Sequence, residues 1–288
     1  MLATAIGNSI GVSGIEALFF ARFGVVYLPL IYMIQGLLTL VVTLSVSAVL
    51  GGRSRNLIYM LLPLAMAAVL IAERFLAGLT WFLPIMWLLK EVMNSLMGLY
   101  VWGVASALCD TRQAKRLFPL FNAGRIFGSV LGGLGTGLLV SLIGAENLLI
   151  VWAVTLGLAF LVTRALLGQS LSAAPQILTR GRTRSSRKAR TPGFVHEVQQ
   201  GYQFVRGSAL MRWVSVAAVL FSALYFSLAL PFSKAAAENF VSEDRIAGFL
   251  GLFNGLSTAA AFLASLFLAN RLYTRFGIMT SILALPII

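Results

Sequence analysis

Charged side chains are scarce in this sequence. Asp, Glu, Lys and Arg make up 11% of the 288 residues, less than half the roughly 25% usual in soluble domains. With 59% of residues hydrophobic, no soluble fold of this size has enough interior to hide them. The shortage runs the whole length of the chain, which excludes a soluble domain held by one anchoring helix. There is one cysteine, Cys109, so an intramolecular disulfide is excluded; its place at the end of an apolar run reads as packing. The one histidine, His196, lies on the polar face of a short amphipathic stretch and reads as solvated. Also missing are a glycine-rich phosphate loop with its Lys-Ser/Thr, paired metal-ligand spacings and a nucleophile elbow. No enzyme activity, cofactor or metal is therefore expected, and any transport has to run on gradients or exchange.

Acidic residues are rarer than basic ones, nine against 22, for a net charge of +13. Such a balance points to nucleic acid, an anionic membrane surface or an anionic substrate. A nucleic-acid binder carries a basic face with aromatics on a soluble module. None is present, so no nucleic-acid partner is expected. The cations lie between hydrophobic runs, where orientation in a bilayer explains them first.

A spanning helix needs ~20 mostly apolar residues. Eight runs qualify: Leu2–Phe20, Tyr27–Val49, Leu57–Leu76, Phe82–Leu108, Leu117–Leu142, Asn147–Leu167, Met211–Phe232 and Ile246–Leu268. A ninth begins near Gly277 and stops after twelve residues at Ile288, too short to cross, so the chain reads as cut inside a helix. The first run lacks a basic leader and reads as a true helix, not a cleaved signal. Gly51 to Asn56 and Cys109 to Arg116 are polar turns, and Pro29, Pro84 and Pro119 fall near helix starts, where a missing N–H costs little. The fold expected is all-α: a polytopic transmembrane bundle of major-facilitator type with eight complete helices and a truncated ninth. Residues 1–167 form a six-helix bundle, 168–210 a basic loop with an interfacial helix, and 211–288 the start of a second bundle.

With the N-terminus in the cytoplasm, sixteen Lys and Arg fall on the inner side and four (Arg22, Arg74, Lys234, Arg245) on the outer. This is the positive-inside bias, expected of an integral protein of a bacterial inner membrane. Six of the sixteen crowd into Arg180–Arg190 of the longest connection, Gly168–Pro192, which is too polar to fold alone. It serves as an orientation signal or as a contact for anionic lipids of the surrounding bilayer. After it, Phe194, Val198, Tyr202 and Val205 repeat at helical spacing, the pattern of a helix lying in the interface.

The chain also repeats itself. Ile34-Gln35-Gly36-Leu37-Leu38-Thr39 in the second run matches Phe253-Asn254-Gly255-Leu256-Ser257-Thr258 in the eighth, 219 positions on. Run n matching run n+6 is what two parallel six-helix halves give.

Two stretches carry a family resemblance. One is Ala17-Leu18-Phe19-Phe20-Ala21-Arg22-Phe23-Gly24 followed by Leu28-Pro29-Leu30-Ile31-Tyr32. The other is Asp110-Thr111-Arg112-Gln113-Ala114-Lys115-Arg116-Leu117-Phe118-Pro119-Leu120-Phe121, running into Gly124 and Gly128-Ser129-Val130-Leu131-Gly132-Gly133. The chain resembles the bacterial and plastid type of ATP/ADP translocase and its free-living bacterial relatives, within the major facilitator superfamily. Gly51–Asn56 lacks the acidic residue usual in that superfamily's corresponding loop. The resemblance implies twelve helices and antiport or uptake of nucleotides; many relatives carry soluble domains after the helices.

Ionisable residues at membrane depth cost from ~2.5 kcal/mol upward, so each is a functional candidate. Lys90, Glu91 and Asn94 share one flank of the fourth run. Lys90 stands eight residues past Phe82, ~12 Å deep at ~1.5 Å per residue. Arg125 is as deep in the fifth run. Ser9, Ser13 and Glu16 share a face of the first. Gln35 with Thr39, and Asn254 with Thr258, make polar stripes. Lys90, Glu91, Asn94, Arg125, Glu16, Gln35 and Asn254 are the candidate substrate contacts; structural pairing between helices is the alternative for each, and snorkelling for Glu16 and Arg22. Arg53, Arg55, Asp110, Arg112, Lys115 and Arg116 are the candidate cytoplasmic gate. Gly124, Gly128 and Gly132 recur every fourth residue, a spacing that lets helices approach closely. The function expected is secondary transport of a small organic anion, with ATP or ADP as the specific case, by alternating access. The alternative is a non-transporting sensor or anchor whose soluble C-terminal domain lies beyond this chain.

Overall fold

The computed structural model describes residues 1–52, 55–109, 111–173, 194–240, 242–269, 271 and 275. Among the described residues the chain is helical and has no strand. The helices are α1 (Leu2–Arg22), α2 (Leu28–Gly52), α3 (Arg55–Leu76), α4 (Leu83–Leu108), α5 (Thr111–Ile143), α6 (Leu148–Ala173), α7 (Phe194–Gly207), α8 (Ala209–Asn239) and α9 (Glu243–Ala264). Seven of them, α1, α3, α4, α5, α6, α8 and α9, are long and apolar enough to cross a membrane, and α2 adds an apolar stretch at Leu28–Val42. The ninth run from Gly277 lies outside the described residues.

The helix ends follow local chemistry. Pro84 sits in the first turn of α4, where no N–H partner is lost. Ser208 and Ser242 cap α8 and α9 by accepting from the Met211 and Arg245 amides, each at 3.4 Å. Glu243 and Asp244 occupy the first turn of α9, at the positive end of its dipole. Pro119 does not mark a helix start as expected: α5 begins at Thr111 and carries it internally, as α3 carries Pro63 and α8 carries Pro231. α8 likewise continues past Phe232 to Asn239.

α1 is the central helix, packed against α4, α5, α6 and α9. Its Gly7, Gly11 and Gly14, four and three apart, press on Thr155, Trp152 and Leu148 of α6; a side chain at Gly7 or Gly11 collides with α6, and one at Gly14 would sit tightly, 3.1 Å from Leu148. On another face α1 meets the glycine stripe of α5. A Cβ at Gly128 would lie 2.5 Å from the Leu2 carbonyl, and one at Gly132 would lie 2.6 Å from that of Ile6. Gly124, expected in the same role, faces open space. Past the glycine stripe, α5 turns to α9: a Cβ on Gly133 would lie 2.6 Å from the Gly251 carbonyl and 2.7 Å from Gly255. This glycine-on-glycine joint seats α9 directly on the backbone of α5.

The joint is confined to one end. The end at which α1 terminates is here called the Arg22 end, and the other the Leu2 end. No residue is buried over 113–127 of α5 or 256–264 of α9. α9 thus packs on α5 at the Arg22 end and parts from it toward the Leu2 end.

Candidate functional site

Where α5 and α9 part, α1, α2, α4 and α5 on one side and α8 and α9 on the other line a cavity of about 480 Å³. Glu16, Gln35, Lys90, Glu91, Asn94 and Asn254 all line it. Gln35 and Asn254 are the residues that the repeat equates. They reach the same cavity from α2 and α9, joined by Thr258. Thr39 turns back to its own helix and donates to the Gln35 carbonyl at 2.8 Å.

Lys90 organises the charges. It is 2% exposed, and its Nζ donates to Glu16 Oε1 at 2.9 Å and forms an ion pair with Glu91 Oε1 at 3.2 Å. The same nitrogen lies 3.7 Å from the centroid of the Trp87 ring, one turn earlier on α4. Trp87 in turn donates its Nε1–H to Gln35 Oε1 at 3.2 Å. A chain of contacts therefore runs from α1 through α4 to α2. Glu16 does not snorkel, because Lys90 holds it inside the bundle. The remaining wall is aromatic and hydroxylic: Phe20, Tyr32, Tyr225, Phe226 and Phe232 with Ser9, Ser129 and Ser233. The rings of Tyr32 on α2 and Phe226 on α8 lie 4.7 Å apart, tilted by 40°.

Arg125 stands apart from the other six candidates. It lines a neighbouring cavity of about 200 Å³ toward the Leu2 end, with Asn8, Asn94 and Ser129 common to both cavities. Its Nη2 donates to Asn122 at 3.3 Å on its own helix.

The charged latch lies at the end opposite the candidate gate. Arg53 and Asp110 lie outside the described residues, as do the side chains of Arg55 and Arg112. Lys115 and Arg116 are exposed and make no ion pair among the described residues. At the Arg22 end, by contrast, Arg22 grips Glu243 of α9 through Nε at 2.6 Å and Nη2 at 2.7 Å. Its Nη2 also meets Glu146 at 2.6 Å, and its Nη1 donates to the Ala77 carbonyl at 3.0 Å. Arg74 adds a bond to Glu146 at 2.9 Å. Gly144, at φ +79°, turns the chain out of α5 so that the Ala145 amide donates to Asp244 at 2.8 Å. Arg22 is therefore a clasp, and it does not snorkel.

Sequence reasoning missed Glu146, Glu243 and Asp244. The available signal was that acids cluster in the same turns as the four cations of that side. It also missed Glu73, which is 1% exposed on α3 with neither carboxylate oxygen hydrogen-bonded among the described residues, and Asn8, whose buried Oδ1 likewise has no partner among them.

Compared with known proteins, the chain matches no family model, no curated protein and no solved structure.

Proposed function

We propose that this chain forms the solute pathway of a secondary transporter working by alternating access, with the cavity between its two units as the solute site. The observation that carries the reading is convergence. Gln35 and Asn254, equivalent in an internal repeat, meet a buried Lys–Glu cluster in one cavity that is sealed at one end and splayed at the other. Repeat-related halves meeting at a central polar site are the general plan of such carriers. Charged groups at membrane depth mark solute and ion pathways.

The sixteen-to-four distribution of Lys and Arg supports a cytoplasmic N-terminus and basic connection in a bacterial inner membrane, with the Arg22 end outside. The conformation described is then inward-open, held shut on the outside by the Arg22–Glu243 clasp. Arg53, Arg55, Asp110, Arg112, Lys115 and Arg116 would close the inner end in the opposite state. The major-facilitator plan and the resemblance to nucleotide translocases support a small organic solute and make ATP and ADP the anionic candidates. Lys90 is the cavity's lone cation among the described residues, and it is already held by two carboxylates.

Exchange decides the matter. Proteoliposomes loaded with unlabelled solute should accumulate the matching labelled one from a panel of nucleotides, organic anions and amines. Absence of counterflow for every class, with the protein folded and inserted, would leave the non-transporting sensor reading.

A further inference from the structure

We infer that the group recognised in this cavity is cationic, an ammonium or guanidinium docking on the free carboxylate oxygens of Glu16 and Glu91. The inference rests on reading the cavity as a solute site. An ammonium has three N–H donors. Lys90 Nζ gives one to Glu16 Oε1 at 2.9 Å, pairs with Glu91 Oε1 at 3.2 Å and lies 3.7 Å over the Trp87 ring. The ammonium is thus already engaged on three sides before any anion enters.

The acceptors are in the opposite condition. Glu16 and Glu91 each have a second oxygen that takes no hydrogen bond among the described residues, and the two side chains are 20% and 25% exposed, into the cavity they line. Two carboxylates against one ammonium leave one negative charge in excess. None of the other helices around the cavity brings a charged side chain to it: α2 brings Tyr32 and Gln35, α5 Ser129, α8 Tyr225 and Ser233, and α9 Asn254 and Thr258. Arg125 belongs to the smaller cavity. An uncompensated negative charge in a partly desolvated cavity favours a cationic occupant.

The wall suits an organic cation. Besides Tyr32 and Phe226, Tyr225 lies 5.4 Å from Phe226 and Tyr32 lies 6.2 Å from Trp87. Ring faces attract cations, most strongly where water is excluded. A polyphosphate would meet a net negative cavity and would have to strip a carboxylate from Lys90.

The test is binding to the purified chain in lipid nanodiscs, followed by tryptophan emission, since Trp87 touches the ammonium. Agmatine and tetraethylammonium are the cationic probes; ATP and ADP are the anionic ones. The cations should saturate, and Glu91→Gln should weaken them about tenfold or more, the effect of losing one charge-assisted contact. Glu91→Gln keeps the Lys90–Glu16 pair, and Glu16→Gln provides a second variant that keeps Lys90–Glu91. ATP and ADP should leave the emission unchanged. Saturable ATP or ADP binding that Glu91→Gln tightens would overturn the cationic assignment while leaving the carrier reading intact. Absence of saturation by any of the four probes would overturn it as well, and counterflow across the wider panel then reports separately on the carrier reading.

Discussion

Replacing Arg22 by Gln should open the Arg22 end. The wild-type guanidinium makes a two-pronged contact to Glu243 and a further bond to Glu146, with the three side chains 26–28% exposed. Fully exposed pairs contribute about 0.2–1 kcal/mol, and breaking a buried pair costs about 3–5 kcal/mol. Solvent reaches a quarter of these groups, so the clasp lies nearer the lower figure, at about 1–2 kcal/mol between the closed and open arrangements. That amounts to a 5–30-fold change in the ratio of the two populations. Arg22→Lys keeps the charge but loses the fork, and should fall between. The assay is a distance distribution by pulsed electron resonance. Spin labels go on Thr80 and Asn239, both exposed, in a Cys109→Ser background. Wild type should give one dominant distance; Arg22→Gln should add a longer one, and high salt should move wild type the same way. An unchanged distribution in Arg22→Gln would refute the clasp.

Other consequences follow from burial and close packing. Gly251→Leu should break the α5–α9 joint, since a Cβ there already overlaps Thr136; overpacking of about 1–3 kcal/mol should show as a lower melting temperature in detergent. Glu73→Met should raise it, because an unpartnered buried carboxyl costs about 1–3 kcal/mol and Met fills comparable space. In sealed cells a membrane-impermeant thiol reagent should reach a cysteine placed at Gly78 or Glu238 and miss one at position 181; labelling at 181 would invert the proposed orientation.

The apolar runs were legible because each spans ~20 residues with few charges, and α1 to α6, α8 and α9 all fall on them. Their ends were less so. α5 starts six residues ahead of Leu117, with Lys115 and Arg116 already helical, since hydropathy reports membrane burial and helicity extends beyond it. α6 similarly continues to Ala173. In the cavity, Lys90, Glu91 and Glu16 stood out as ionisable residues at depth. Their mutual pairing across α1 and α4 did not, because interhelical partners are set by rotation about each helix axis, which periodicity leaves open. The same holds for Tyr32 and Tyr225, ordinary aromatics in sequence that become cavity wall only when α2 faces α8. Gly128 and Gly132 are close-packed as their spacing suggests, while Gly124, one turn earlier on the same stripe, faces open space: α1 begins at Leu2, beside Gly128.

Alternating access is tested most directly from both sides of the membrane. With Cys109→Ser and a single cysteine at Asn254, an impermeant thiol reagent is applied to intact cells and to inside-out vesicles, with Arg22→Gln alongside. Labelling should be fast from the cytoplasmic face and slow from outside, with the outside rate rising in Arg22→Gln as the inside rate falls. Labelling confined to one face in both proteins would contradict a carrier that exposes this cavity to each side in turn.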